Sequence, residues 1–117
     1  SKGNMRKMAN NQWSKVDGFW YYAQDGVILK NTTAKINGKY YGFDAQGRMY
    51  ENTTFVLENF YHDKITYYAS KDGVLLTAQQ YKMGKDTYYF DTYGRGYEGH
   101  HWINGKNCFF RNGKLIG

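Results

Sequence analysis

The sequence predicts an all-β fold: an array of stacked β-hairpins, β-solenoid-like, made of about five repeats of roughly 20 residues. Three observations carry this. Aromatic doublets recur along the chain at Tyr21-Tyr22, Tyr40-Tyr41, Tyr67-Tyr68, Tyr88-Tyr89 and Phe109-Phe110, with first members 19, 27, 21 and 21 residues apart. Each doublet is followed by a glycine: Gly26, Gly47, Gly73, Gly94 and Gly113. No stretch shows helix periodicity.

The unit reads as strand, turn, aromatic strand, second turn and short apolar piece. In the first unit Asp17-Gly18 precedes Phe19-Trp20-Tyr21-Tyr22, and Asp25-Gly26 leads into Val27-Ile28-Leu29. Asp-Gly and Asn-Gly supply the positive φ angles that tight hairpin turns require. The second unit repeats this with Asn37-Gly38, Tyr40-Tyr41, Gly47 and Met49-Tyr50. In the third, residues 52–62 lengthen the spacing and predict an enlarged loop or a longer strand, before Tyr67-Tyr68, Asp72-Gly73 and Val74-Leu75-Leu76. The first turn is altered there to His62-Asp63-Lys64, and in the fourth unit to Met83-Gly84-Lys85. The fifth returns to Asn104-Gly105, with Cys108 at an aromatic-strand position and Asn112-Gly113 before Leu115-Ile116. A lone hairpin is marginal in water, so the units must stack and bury one another's rings.

Composition agrees. The 117 residues contain 13 Tyr, 7 Phe and 3 Trp but only 14 Ile, Leu and Val, so the predicted core is aromatic. The single cysteine excludes an intramolecular disulfide. No apolar run approaches about 18 residues, so no membrane insertion is expected. The net charge of +6 sits at the ends: residues 1–10 and 99–117 each carry +3, while residues 11–98 balance ten bases with ten acids. A nucleic-acid binder needs a basic stripe along its body, so no nucleic-acid partner is expected. The basic ends suit adhesion to a polyanionic surface. Residues 1–10 read as a basic tail or linker and residues 11–117 as one repeat-built module.

The segments Gly18–Gly26 (GFWYYAQDG) and Asn37–Met49 (NGKYYGFDAQGRM) resemble the cell-wall-binding repeats of Gram-positive surface proteins, as do Asp86–Gly94 and Trp102–Gly113. That superfamily includes choline-binding and glucan-binding modules. The resemblance covers about residues 11–117. It implies a β-hairpin repeat fold and a non-catalytic attachment module, secreted or at the surface of a Gram-positive bacterium. Its ligand would be a cell-envelope or extracellular polysaccharide, such as glucan, teichoic acid or wall polysaccharide. The module would be fused to a catalytic or adhesin domain. The alternatives are a choline-type teichoic-acid binder and a structural or protein-interaction spacer. Choline-binding repeats hold a quaternary ammonium in an aromatic cage by cation–π attraction. Trp13 fits the cage-tryptophan position of the first unit; Thr33 and His100 stand there in the second and fifth, so a full row of choline sites is not expected.

Candidate ligand-binding residues are Trp13, Trp20, Tyr22, Tyr40, His100 and Trp102, because flat aromatic faces stack on sugar rings or wall a cation. No catalytic residue is expected. Asp17, Asp25, Asp44, Asp63, Asp72 and Asp91 fall at turns, where Asp is turn chemistry rather than a general acid/base pair. Cys108 near His100 and His101 lacks an orienting third group and reads as a buried thiol. No zinc-type spacing is present, so neither metal nor cofactor is expected.

Overall fold

The computed structural model describes residues 11–117, so the basic tail predicted over residues 1–10 lies outside the described residues. Twelve strands and no helix occur among them: β1 (Gln12–Val16), β2 (Phe19–Gln24), β3 (Val27–Ile28), β4 (Thr32–Ile36), β5 (Lys39–Phe43), β6 (Thr53–Glu58), β7 (Lys64–Ala69), β8 (Gln79–Met83), β9 (Asp86–Phe90), β10 (Gly99–Ile103), β11 (Lys106–Arg111) and β12 (Lys114–Leu115). They form five antiparallel hairpins: β1–β2, β4–β5, β6–β7, β8–β9 and β10–β11. The array is elongated, 53 × 30 × 21 Å.

The turns follow from their residues. Asp17-Gly18, Asp25-Gly26, Asn37-Gly38, Asn104-Gly105 and Asn112-Gly113 all have positive φ at both positions, from 50° to 85°. That is the two-residue hairpin geometry whose twist matches the strands. The lengthened third unit has a six-residue β6 and a five-residue loop. There Asn59 Oδ1 accepts hydrogen bonds from the amides of Tyr61 (2.8 Å) and Asp63 (2.9 Å). The turn therefore begins at Asn59, not at His62, and Lys64 already belongs to β7.

Units are joined by backbone bonds from the piece after each second turn. Met49 N donates to Trp20 O (2.8 Å), Leu75 N to Tyr40 O (2.8 Å) and Gly96 N to Thr66 O (2.7 Å). Lys114 pairs with Tyr88 in the same manner, which draws β8–β12 into one five-stranded sheet. Each of the first four hairpins is thus closed by the turn segment of the next unit, as a solenoid requires.

Hairpin pairing fixes the equivalences between units. Trp13↔Tyr22, Thr33↔Gly42, Thr54↔Tyr68, Gln80↔Tyr89 and His100↔Phe109 occupy corresponding places. The inward positions are then Tyr21, Tyr41, Tyr67, Tyr88 and Cys108, followed two residues on by Ala23, Phe43, Ala69, Phe90 and Phe110. Of this second set Phe43, Phe90 and Phe110 are the largest fully buried side chains. So the doublets Tyr40-Tyr41 and Phe109-Phe110 are one residue out of phase with the other three. In a strand, a one-residue shift exchanges the inward and outward faces.

The core is a ladder of rings. Phe55 stacks between Tyr50 (4.0 Å) and Tyr67 (5.2 Å) above Ala69 and Leu75. Ile36, Phe43 and Met49 form the neighbouring cluster, against which Trp13, Tyr22 and Tyr41 pack. Cys108 is buried, as its strand position predicts.

Candidate binding site

The junction between the first two hairpins opens as a cleft of about 320 Å³ lined by Trp13, Trp20, Tyr41, Met49 and Asp72. Each wall has a local cause. Trp13 on β1 and Trp20 on β2 share one face of the hairpin, since Trp13 pairs with Tyr22 and alternation returns Trp20 to the same side. The two indoles stand at 88° with centroids 6.2 Å apart. Tyr41 comes from the second hairpin and meets Trp13 edge-on at 4.9 Å. Met49 is brought in by its amide bond to Trp20 O. Asp72 arrives from the third unit, in a turn closed by Ser70 N to Val74 O (2.9 Å) and Gly73 N to Ser70 O (2.9 Å). Gly73 lies against the Met49 side chain with no room for a Cβ, which seats this turn over the cleft.

Two turns elsewhere use aspartate differently. Asp44 Oδ1 accepts from the amides of Gln46 and Arg48 (both 2.9 Å), and its Oδ2 pairs with Arg48 Nε (2.9 Å). Asp91 repeats the arrangement with Tyr93 and Arg95. These carboxylates stand three residues before the turn glycine. Asp72 stands one before it, and among the described residues its carboxylate makes no hydrogen bond or ion pair. It is the cleft's one acidic group. Lys15 Nζ lies 5.6 Å from the Trp20 ring centroid, so this ring already accepts a cation.

The other sequence-predicted residues separate. Tyr22 is 5.0 Å from Trp13 and backs it without lining the cleft. Tyr40 lies at the next junction, at the place corresponding to Trp20, where Thr33 replaces the first tryptophan. Tyr93 packs edge-on to Tyr40 there (6.1 Å), and the Arg95 guanidinium lies 4.9 Å from the Tyr93 centroid. Burial raises the Tyr67 phenol above its ordinary value, with Arg95 opposing that shift and Asp91 adding to it. His100 lies far along the chain, 4.8 Å from Phe109. Trp102 is 72% exposed and meets no other ring among the described residues. Of the six candidates only Trp13 and Trp20 line one cleft. Sequence reasoning missed Tyr41, Met49 and Asp72. The missed signal was the hairpin phase, which puts Tyr41 rather than Tyr40 at the inward place.

No protein-family model matches the sequence, and no curated protein matches it. Solved structures do. The chain is similar to choline-binding protein F of Streptococcus pneumoniae, at 26% identity and a TM-score of 0.66, over 93% of this chain and 35% of that one. It is similar in fold to an alternansucrase in complex with isomaltotriose, at 19% identity and a TM-score of 0.71, over 91% of this chain and 10% of that one. The modular Cpl-1 endolysin, complexed with a peptidoglycan analogue, aligns at 24% identity and a TM-score of 0.56, over 79% of this chain and 26% of that one. The chain therefore spans about a tenth to a third of the length of these proteins. Its fold is the one found in these repeat proteins, choline-binding protein F at 26% identity among them: an all-β array of stacked aromatic hairpins.

Proposed function

We propose that the chain is a non-catalytic attachment module that holds its parent protein on a cell-envelope polysaccharide of a Gram-positive surface. The observation that carries this is the cleft of Trp13, Trp20, Tyr41, Met49 and Asp72. Its volume stands at the small end of ligand pockets, about 300–1,000 Å³, and suits one sugar residue or one polymer substituent. Aromatic walls grip the apolar face of such a group, and repetition along a polymer turns weak single sites into retention. The similar proteins are a choline-binding protein, an endolysin complexed with a peptidoglycan analogue and an alternansucrase complexed with isomaltotriose, which supports an envelope or glucan ligand for this array.

One feature favours a second reading, a quaternary ammonium substituent on that polymer. Rings meeting near 90° enclose a volume rather than presenting a flat platform, and Asp72 supplies an uncommitted negative charge. Cation–π attraction and a carboxylate both select a cation over a neutral sugar. Titrating tryptophan fluorescence with tetramethylammonium and, separately, with isomaltotriose tests both readings. Saturable protection from quenching by either, lost in Trp20→Ala, is expected. No response to either probe, with no retention on purified walls or on dextran, would leave the spacer alternative.

A further inference from the structure

The junction at the far end of the array has the opposite polarity. Tyr88, Arg111, Asn112, Lys114 and Ile116 line a cleft of about 300 Å³ between the fourth and fifth units. Its place in the repeat matches the tryptophan cleft: Tyr88 is the counterpart of Tyr41, and Asn112, one residue before its turn glycine, is the counterpart of Asp72. No tryptophan lines this cleft; its lining carries two cations, Arg111 and Lys114, on the strands that flank the Asn112-Gly113 turn.

Their geometry is costly without a ligand. Arg111 and Lys114 are directly opposite each other across the two-residue Asn112-Gly113 turn. Like charges facing across strands destabilise a hairpin. The nearby acids relieve little of this. Lys114 Nζ reaches Asp86 Oδ2 only at 4.0 Å, with both side chains over 40% exposed. Glu98 Oε2 is committed to the Asn112 amide at 2.8 Å. The Arg111 guanidinium makes no hydrogen bond or ion pair among the described residues.

We propose that this cleft binds an oxyanion of the same polymer: the phosphodiester of a polyol-phosphate chain or the carboxylate of an acidic sugar. The guanidinium can take such a group through two parallel N–H donors, and the ammonium adds a point charge beside it. This rests on the attachment reading above. It sets an aromatic cleft with one uncommitted carboxylate near one end of the array and an anion-selecting cleft near the other.

The test uses the whole chain and two probes, glycerol-phosphate oligomers and uronic-acid oligomers, with Tm and amide chemical shifts as readouts. At low salt one probe raises the wild-type Tm and shifts the Asn112 and Arg111 amides; the other probe identifies which oxyanion is preferred. In Arg111→Gln/Lys114→Gln, binding falls at least tenfold, while the response of the tryptophan cleft to tetramethylammonium or isomaltotriose is unchanged. Without anion this variant has a Tm no lower than wild type, because the like-charge pair is gone. Undiminished binding by the folded variant would overturn the proposal, as would a chain indifferent to both probes. Tighter binding of single-stranded DNA than of either oligomer would overturn the assignment to a wall polymer. Failure of retention on walls with intact probe binding here would instead remove the attachment reading.

Discussion

Trp13 and Trp20 are diagonal neighbours on adjacent strands of one hairpin, their rings 6.2 Å apart and at 88°. Trp13 is half-buried against the Ile36–Phe43–Met49 cluster, and Trp20 is the more exposed of the two. Trp13 also meets Tyr22 at 5.0 Å, Tyr41 at 4.9 Å and Phe43 at 5.9 Å. Trp20 is 37% exposed. The pair thus couples a fixed wall to an accessible one.

This asymmetry separates two substitutions. Trp20→Ala should abolish ligand protection at a stability cost of about 1 kcal/mol or less, in the range of surface changes. Trp13→Ala should abolish binding and also cost about 3 kcal/mol, because it leaves a cavity among three rings. Urea unfolding followed by circular dichroism, beside ligand titration, distinguishes them. Equal stability losses would contradict the division of roles.

Asp72→Asn tests the charge in the cleft. Affinity for tetramethylammonium should fall about tenfold, roughly 1.4 kcal/mol. Affinity for isomaltotriose should change little, since an amide retains the hydrogen-bonding oxygen. Calorimetry at constant ionic strength measures both. Parallel losses would show that Asp72 shapes the cleft rather than charging it.

Gly42 is buried at the place in the second unit where the other units carry Tyr or Phe. A Cβ there would fall within the Phe55 ring, which is itself clamped between Tyr50 and Tyr67. Gly42→Ala should therefore cost about 2 kcal/mol by overpacking. In a domain of this size that lowers Tm by about 10 °C. An unchanged Tm would mean that the ring ladder yields more readily than its stacking implies.

Alkaline stability depends on the same ladder. Burial raises the Tyr67 phenol above its ordinary value of 10.0, so the folded state favours the neutral form. The contribution is intact below the unfolded value and is lost as pH rises through the folded one. Tm should therefore fall above about pH 10, and Tyr67→Phe should flatten that fall. Tyr50, raised chiefly by burial, and Tyr68, raised chiefly by its hydrogen bond to Tyr81, keep part of the slope. A scan of Tm from about pH 8 to pH 11 checks it.

Much of the fold is legible in residue order. Asn37-Gly38 or Asn112-Gly113 between apolar pieces demands a tight turn whatever lies around it, because few residues other than Asn, Asp and Gly adopt positive φ readily. The phase of each strand is less legible. Tyr40-Tyr41 looks like Tyr21-Tyr22, yet pairing with Lys35 and Ala34 turns Tyr41 rather than Tyr40 inward. Likewise Asp72-Gly73 looks like Asp25-Gly26, and nothing local shows that one carboxylate overhangs a cleft built two units earlier.

Sequence alone determined the hairpin count, every hairpin turn but the one at Asn59 and the aromatic character of the interior, because these depend on backbone preference and on burial of rings within a few residues. Tertiary structure decided which tryptophans meet, that Tyr41, Met49 and Asp72 join them, and that Arg111 and Lys114 face the last cleft. Those contacts arise where one unit's second turn folds back on the hairpin before it. Outside single hairpins, the residues these contacts bring together lie about 20 to 60 positions apart, and spacing by itself does not record which face each side chain takes.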